Sequence, residues 1–133
     1  MHRLSKLEPA AYVALRIVAG ASFAVHGAQK VLGVLAERPT PAVGSQLWIG
    51  GVIELVAGLL IALGLATRLA ALLASGTMAV AYVQFHWRGE LSDWRWIPTV
   101  NHGELAAIYA MLFLLVAARG PGRLALDARL RIR

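Results

Sequence analysis

Four long apolar runs follow one another along the chain, separated by short polar stretches. Residues 10–29 carry one formal charge, Arg16; residues 47–66 carry one, Glu54; residues 69–87 carry none. Residues 105–118 are wholly apolar but number only 14, so that helix is expected to start earlier, near Asn101, giving a span of 101–118. A bilayer core of about 30 Å is crossed by roughly 20 helical residues. The pattern predicts an all-α integral membrane four-helix bundle, a single transmembrane domain over residues 1–133 with a short basic C-terminal tail at 119–133. The first loop, Val31–Gln46, holds Gly33, Pro39, Pro41 and Gly44 and should be irregular, whereas the second, around Thr67 and Arg68, should be a tight helical hairpin. A cleaved signal peptide is the competing reading of the first run, with Arg3 and Lys6 ahead of it and Ser22 and Ala24 at a small-residue cleavage site. Arg16 would interrupt its apolar core and the run continues past the site, so a span is preferred.

Composition agrees with this pattern. Hydrophobic residues make up 59% of the 133 positions and the mean hydropathy is +0.65, which excludes a disordered chain and argues against a soluble globular domain. With no cysteine, thiol–disulfide chemistry and thiolate metal sites are excluded. The net charge of +6 acquires a meaning once the basic residues are located. Arg3, Lys6, Arg68, Arg119, Arg123, Arg129, Arg131 and Arg133 fall on the side of the termini, and Lys30, Arg38, Arg88 and Arg95 on the other. Eight against four places both termini in the cytoplasm by the positive-inside rule. The basic tail, interleaved with Leu124, Leu126, Leu130 and Ile132, then lies where anionic headgroups are, so its partner is the lipid bilayer and not nucleic acid. Trp48, Trp87, Trp94 and Trp96 all fall toward the outer face, where indoles favour the headgroup zone.

Polar residues inside the spans carry the chemistry, because a charge at a helix centre costs about 2.5–3.5 kcal/mol on insertion scales. At about 1.5 Å per residue from the cytoplasmic edge, Arg16 lies at about 9 Å, Glu54 at about 18 Å, His26 and Gln84 at about 24 Å and His86 at about 27 Å. Side chains lean toward the N-terminus of their helix, so His26 leans inward, Glu54 leans outward, and a His26–Glu54 contact is expected. Arg16 either snorkels to the cytoplasmic surface or stretches to Glu54. Gly50, Glu54, Gly58 and Ala62 form a stripe that should face the bundle, as should Gly20, Ala24 and Gly27, with His26 and Lys30 one turn apart. Glu54 is read either as a register lock or as a protonatable group working with His26. An outer-half cavity lined by His26, Glu54, Gln84 and His86 is expected, since lipid satisfies no polar group. Arg16, Lys30, His102 and Glu104 complete the candidate ligand-binding set. His26, His86, His102, Glu54 and Glu104 are of metal-ligand type, but no tight ligand spacing links them and no metal site is assigned. No phosphate loop, serine triad or haem attachment motif is present.

The order of motifs is recognisable. Leu15-Arg16-Ile17-Val18-Ala19-Gly20 is followed by Phe23 and His26-Gly27-Ala28-Gln29-Lys30-Val31-Leu32-Gly33. Then come Glu54-Leu55-Val56-Ala57-Gly58, Leu63-Gly64-Leu65-Ala66-Thr67-Arg68, Asn101-His102-Gly103-Glu104-Leu105 and Gly120-Pro121-Gly122-Arg123-Leu124-Ala125-Leu126-Asp127. The set resembles the DoxX family of small four-helix membrane proteins from about Leu15 to Asp127. It departs at His102, where that family commonly has a small residue. The resemblance implies a multi-pass protein of the bacterial plasma membrane and a link to quinone-dependent oxidoreductase complexes. The leading expectation is therefore a membrane subunit of a quinone-linked redox system, with quinone as the ligand, no intrinsic cofactor, and electrons supplied by a redox partner protein. A small proton-coupled transporter acting as a homo-oligomer, and a non-catalytic scaffold for a soluble partner, are the alternatives.

Overall fold

The computed structural model describes residues 5–130; Arg3, Arg131 and Arg133, which enter the charge count, and Ile132 of the tail lie outside the described residues. Among the described residues the chain is helical, with no strand. Helix α1 runs Glu8–Val31, α2 Gln46–Leu63, α3 Thr67–Ala81, α4 Glu104–Arg119 and the short α5 Leu126–Leu130. The helical rod of α3 continues as a π-helix over Tyr82–Trp87. Among the described residues three segments are long and apolar enough to cross a membrane: Glu8–Val31, Gln46–Leu63 and Thr67–Trp87. The 16 residues of α4 are about 24 Å long, and α4 lies alongside α3.

Local chemistry sets these boundaries. Proline in the first turn of α1 gives up an N–H that has no partner there anyway. Ser45 caps α2 by accepting a hydrogen bond from the Trp48 N–H at 3.3 Å, and Gly64 ends the helix in the left-handed region at φ 71°. The start of α4 differs from the sequence expectation. Asn101 and His102 precede the helix because the Asn101 side-chain oxygen accepts the Gly103 N–H at 2.8 Å, while His102 takes φ 58°. That side-chain turn competes with helix for the same backbone groups. The widened turn after α3 is fixed by the Arg88 N–H reaching the Val83 carbonyl at 2.8 Å.

Packing comes from two helix pairs that share one core. α1 and α2 touch backbone to backbone. A Cβ added at Gly20 would lie 2.6 Å from the Ala62 nitrogen, and Gly27 and Gly58 are equally without room. The expected stripe on α2 is shifted, since Gly51 takes part in this contact and Gly50 faces open space. α3 packs on α4, with Ala70, Ala71 and Ala74 of one and Ala106 and Ala110 of the other in the shared core, and Ser75 Oγ donating to the Ala110 carbonyl at 2.8 Å. Phe23, Tyr109 and Phe113 join the pairs, with Phe23 and Phe113 centroids 4.8 Å apart. Cores of this kind gain by close van der Waals contact, because lipid is as apolar as the helices themselves.

Arg16 corrects the sequence expectation most sharply. It is 0% exposed and touches neither the surface nor Glu54. Its guanidinium donates to the carbonyls of Ile61 at 2.5 Å and Ala62 at 3.0 Å, and to that of Leu124 at 3.0 Å. Ile61 and Ala62 lie in the last turn of α2, where carbonyls lack i+4 partners and the helix dipole is negative, the Ile61 carbonyl also accepting the Gly64 N–H at 3.1 Å. Asp127 closes the next helix. Its carboxylate accepts the N–H groups of Ala66 at 2.7 Å and Thr67 at 2.9 Å and the Thr67 hydroxyl at 2.7 Å. Burial alone would raise the Asp127 carboxyl, but the Thr67 and Ala66 hydrogen bonds and the charge of Arg16 outweigh it and hold it below the ordinary carboxylate range.

A depressed folded-state value contributes stability above the unfolded carboxylate range that is lost as pH falls through the folded value. The thermal midpoint in detergent should therefore be flat near neutrality and fall below about pH 4. Asp127→Asn should lower the neutral-pH stability by about 1–3 kcal/mol and flatten the acid limb. Scanning unfolding across pH checks both.

Candidate functional site

The end of the molecule opposite Arg16 is built from the C-terminal turns of α1, the N-terminal turns of α2, the π-helical segment, and the start of α4. Lys30 Nζ lies 2.5 Å from Glu54 Oε1, with the Glu54 side chain 3% exposed. Lys30, not His26, is thus the partner of Glu54. α2 runs antiparallel to α1, so Glu54 leans toward the level of Lys30, and Gly51 leaves room for the lysine stem, whose Cβ a side chain there would meet at 2.7 Å. The second carboxylate oxygen, Oε2, is buried and receives no hydrogen bond. In a low-dielectric interior such an oxygen is costly unless a partner reaches it.

That pair lines a cavity of about 560 Å³. Its floor is aromatic, made by Phe23 and Tyr109 over the fully buried Phe113. Its walls are mostly aliphatic, with polar groups from His26, Lys30, Gln46, Glu54, His86 and His102. His26 presents its ring edge-on to Tyr109, centroids 6.4 Å apart at 82°. His86 stacks on Tyr82 and sets Nδ1 at 3.4 Å from the Asn101 carbonyl. His86 and His102 also line an adjoining hollow of about 470 Å³ with Arg88, Glu90, Asp93 and Arg95. The two histidines therefore stand between an apolar chamber and a charged vestibule.

The remaining candidates are distributed as follows. Gln84 is exposed, is absent from the cavity lining, and hydrogen-bonds Gln46, bridging the π-helical segment and α2. Glu104 is exposed and lines neither hollow. Arg16 is at the other end, with its guanidinium committed to backbone carbonyls. Among the described residues no three His, Asp or Glu side chains gather closely enough to hold a metal ion. Sequence reasoning passed over Tyr109, which floors the cavity, and Asn101, whose amide donates to Tyr82 Oη at 3.1 Å and to the Arg95 carbonyl at 2.8 Å. The Asn101-His102-Gly103 spacing was a usable signal, since asparagine two residues before glycine favours a side-chain turn.

Of this pair only Glu54 is buried, at 3% side-chain exposure against 34% for Lys30; removing Lys30 leaves a buried carboxylate uncompensated, which costs up to about 3–5 kcal/mol, whereas replacing both by apolar groups is often neutral. Lys30→Met should therefore lower the melting temperature in nanodiscs more than the double variant Lys30→Met/Glu54→Leu does. Thermal unfolding of the wild type, both single variants and the double variant measures this coupling.

Comparison with known proteins places the chain. The family model for DoxX matches residues 11–87. An uncharacterised protein of Haemophilus influenzae is 40% identical over 130 residues, covering 96% of each chain. No solved structure matches. The matched segment contains α1 from its fourth residue on, α2, α3 and the π-helical turn, hence Arg16, Lys30, Glu54 and His86 together, and the chain belongs to the DoxX family.

Proposed function

We propose that this protein is the membrane subunit of a quinone-linked redox system, seating a quinone headgroup in the cavity beside Lys30 and Glu54. The observation that carries the reading is a buried carboxylate with one oxygen paired to Lys30 and the other unpartnered, at the edge of an apolar, aromatic-floored cavity. Sites for small apolar rings have this composition: apolar walls with a few polar groups that fix orientation. Conversion of a quinone to a quinol takes two electrons and two protons at its carbonyl oxygens. The chain has no cysteine and no flavin or haem motif, so a partner protein supplies the electrons. Lys30 would donate a hydrogen bond to a carbonyl oxygen, Glu54 would hold or release a proton, and His26 and His86 would relay protons. Proton-coupled transport is the weaker reading, because Phe23, Tyr109 and Phe113 pack against one another beneath the cavity, on the side toward Arg16.

In the same reading α4 crosses the plasma membrane as the fourth helix of the bundle, and both termini are cytoplasmic. Four antiparallel helices put Arg68 and Arg119 at one end and Trp48, Trp87 and the Trp94–Trp96 pair at the other, as the positive-inside rule and interfacial indoles require.

Two experiments test this. Saturable quenching of tryptophan fluorescence by a quinone in nanodiscs is expected, with affinity reduced about tenfold or more in Glu54→Gln. Quenching that rises linearly with membrane quinone and is indifferent to Glu54 contradicts the site. For topology, the cysteine-free background suits single-cysteine labelling. Glu37→Cys should react with an impermeant maleimide from the outside and Leu130→Cys only after permeabilisation; the reverse pattern overturns the orientation.

A further inference from the structure

The cavity has a polar head and a gap in its side wall. α2 and α3 are joined by a tight turn at 64–66, where Ile61 and Ala70 belong to the shared core. Farther from the turn the two helices leave space between them. A Cβ built on Gly50 or Gly76 would meet nothing within 4 Å, and both glycines line the cavity. Ile49 and Val80 line it as well, and each is 49% exposed. Lining residues this accessible, on the two helices that Gly50 and Gly76 leave apart, mark an opening in the wall. The Gln46–Gln84 hydrogen bond spans α2 and the π-helical segment above this opening. The α1–α2 seam offers no such gap, because its glycines bring the backbones into contact.

The geometry points to a lateral portal between α2 and α3, framed by Ile49, Gly50, Gly76 and Val80, through which the ligand's hydrocarbon tail passes into the bilayer while its head lies at Lys30 and Glu54. This rests on the quinone-site reading and narrows it: the ligand is a membrane-borne amphiphile with a compact hydrogen-bonding head and a long tail. Volume supports the division. A chamber of about 560 Å³ is of the size, roughly 300–1,000 Å³, that encloses one small molecule. A ring with short substituents fills it, and a tail of many carbons must leave. The framing residues lie within apolar spans, so the opening meets hydrocarbon and the tail loses no burial by crossing it. At the other end Glu54 Oε2, buried and unpartnered, awaits the donor of a head group.

Two measurements decide the matter. In Gly50→Val/Gly76→Leu, which adds bulk at the gap between α2 and α3, a long-tailed quinone should quench tryptophan with affinity reduced about tenfold or more, a loss at least about fivefold greater than that of a tailless quinone. Equal loss for both, or no loss for either, overturns the portal. The second measurement needs no quinone. Thr77 lines the opening and its hydroxyl bonds only the Leu73 carbonyl of its own helix, so Thr77→Cys accepts a spin label without disturbing the packing. Collisional relaxation of that label should be dominated by oxygen, which partitions into hydrocarbon. Dominance by an aqueous nickel chelate overturns the portal. Absence of saturable binding of either quinone to the wild type instead defeats the quinone-site reading, and the label still reports on the portal.

Discussion

A helix that ends inside or near a bilayer leaves up to four carbonyls and four N–H groups without helical partners, and lipid offers them nothing. At the Arg16 end of this protein the termini are closed by charged side chains. Arg16 takes the last carbonyls of α2, Arg68 takes those of Ala117 and Ala118 at the end of α4, and Asp127 takes the first N–H groups of α3. Tyr12 adds its hydroxyl to the Gly120 carbonyl at 2.5 Å. Each charge faces the helix pole of opposite sign. Two separated positions make this possible: Gly64, whose φ of 71° and lack of a side chain admit Arg16 and Ala125, and Gly122, against the Tyr12 ring. The chain after α4 is therefore a structural clamp as well as a basic tail.

With one end closed in this way, the other end is left to be open. α1 is held to α2 along its length by glycine contacts, and α3 to α4 by alanines, but the two pairs separate around the cavity. The same division sorts the ionisable groups. Arg16 and Asp127 are taken up by backbone groups and the Thr67 hydroxyl within the packed end, where the buried Arg16 Nε has no partner among the described residues and no cavity beside it, whereas the unsatisfied Glu54 oxygen borders a space large enough for a ligand. Fully satisfied polar groups fix a fold; an incompletely satisfied one beside a cavity is where binding energy is available.

Much of this was legible beforehand. Three apolar spans, the hairpin at Thr67, the small-residue face of α1 and the burial of Glu54 all follow from spacing and from the cost of charge in lipid. What escaped notice has a common cause. The choice of Lys30 over His26 as the partner of Glu54, Gly51 in place of Gly50, and the committed guanidinium of Arg16 depend on the rotation of α2 about its own axis and on a segment 108 residues away in sequence. Depth along a helix can be computed from residue number, but rotation is set by packing partners that spacing alone does not name. The start of α4 escaped because a side-chain turn at Asn101 took precedence over the apolar pattern.

The π-helical turn has a further consequence for how such a chamber can change over evolutionary time. A residue inserted into an α-helix rotates everything after it by about 100°, and a π-helix absorbs extra residues without breaking the rod. Over Tyr82–Trp87 the extra residues fall where the helix emerges from its packed region, so the segment carrying Phe85 and His86 can be re-indexed while Ala70, Ala71 and Ala74 keep their places. Length variation at this one turn would swap which side chains look into the chamber, an adjustment of specificity by register that leaves the core sequence untouched.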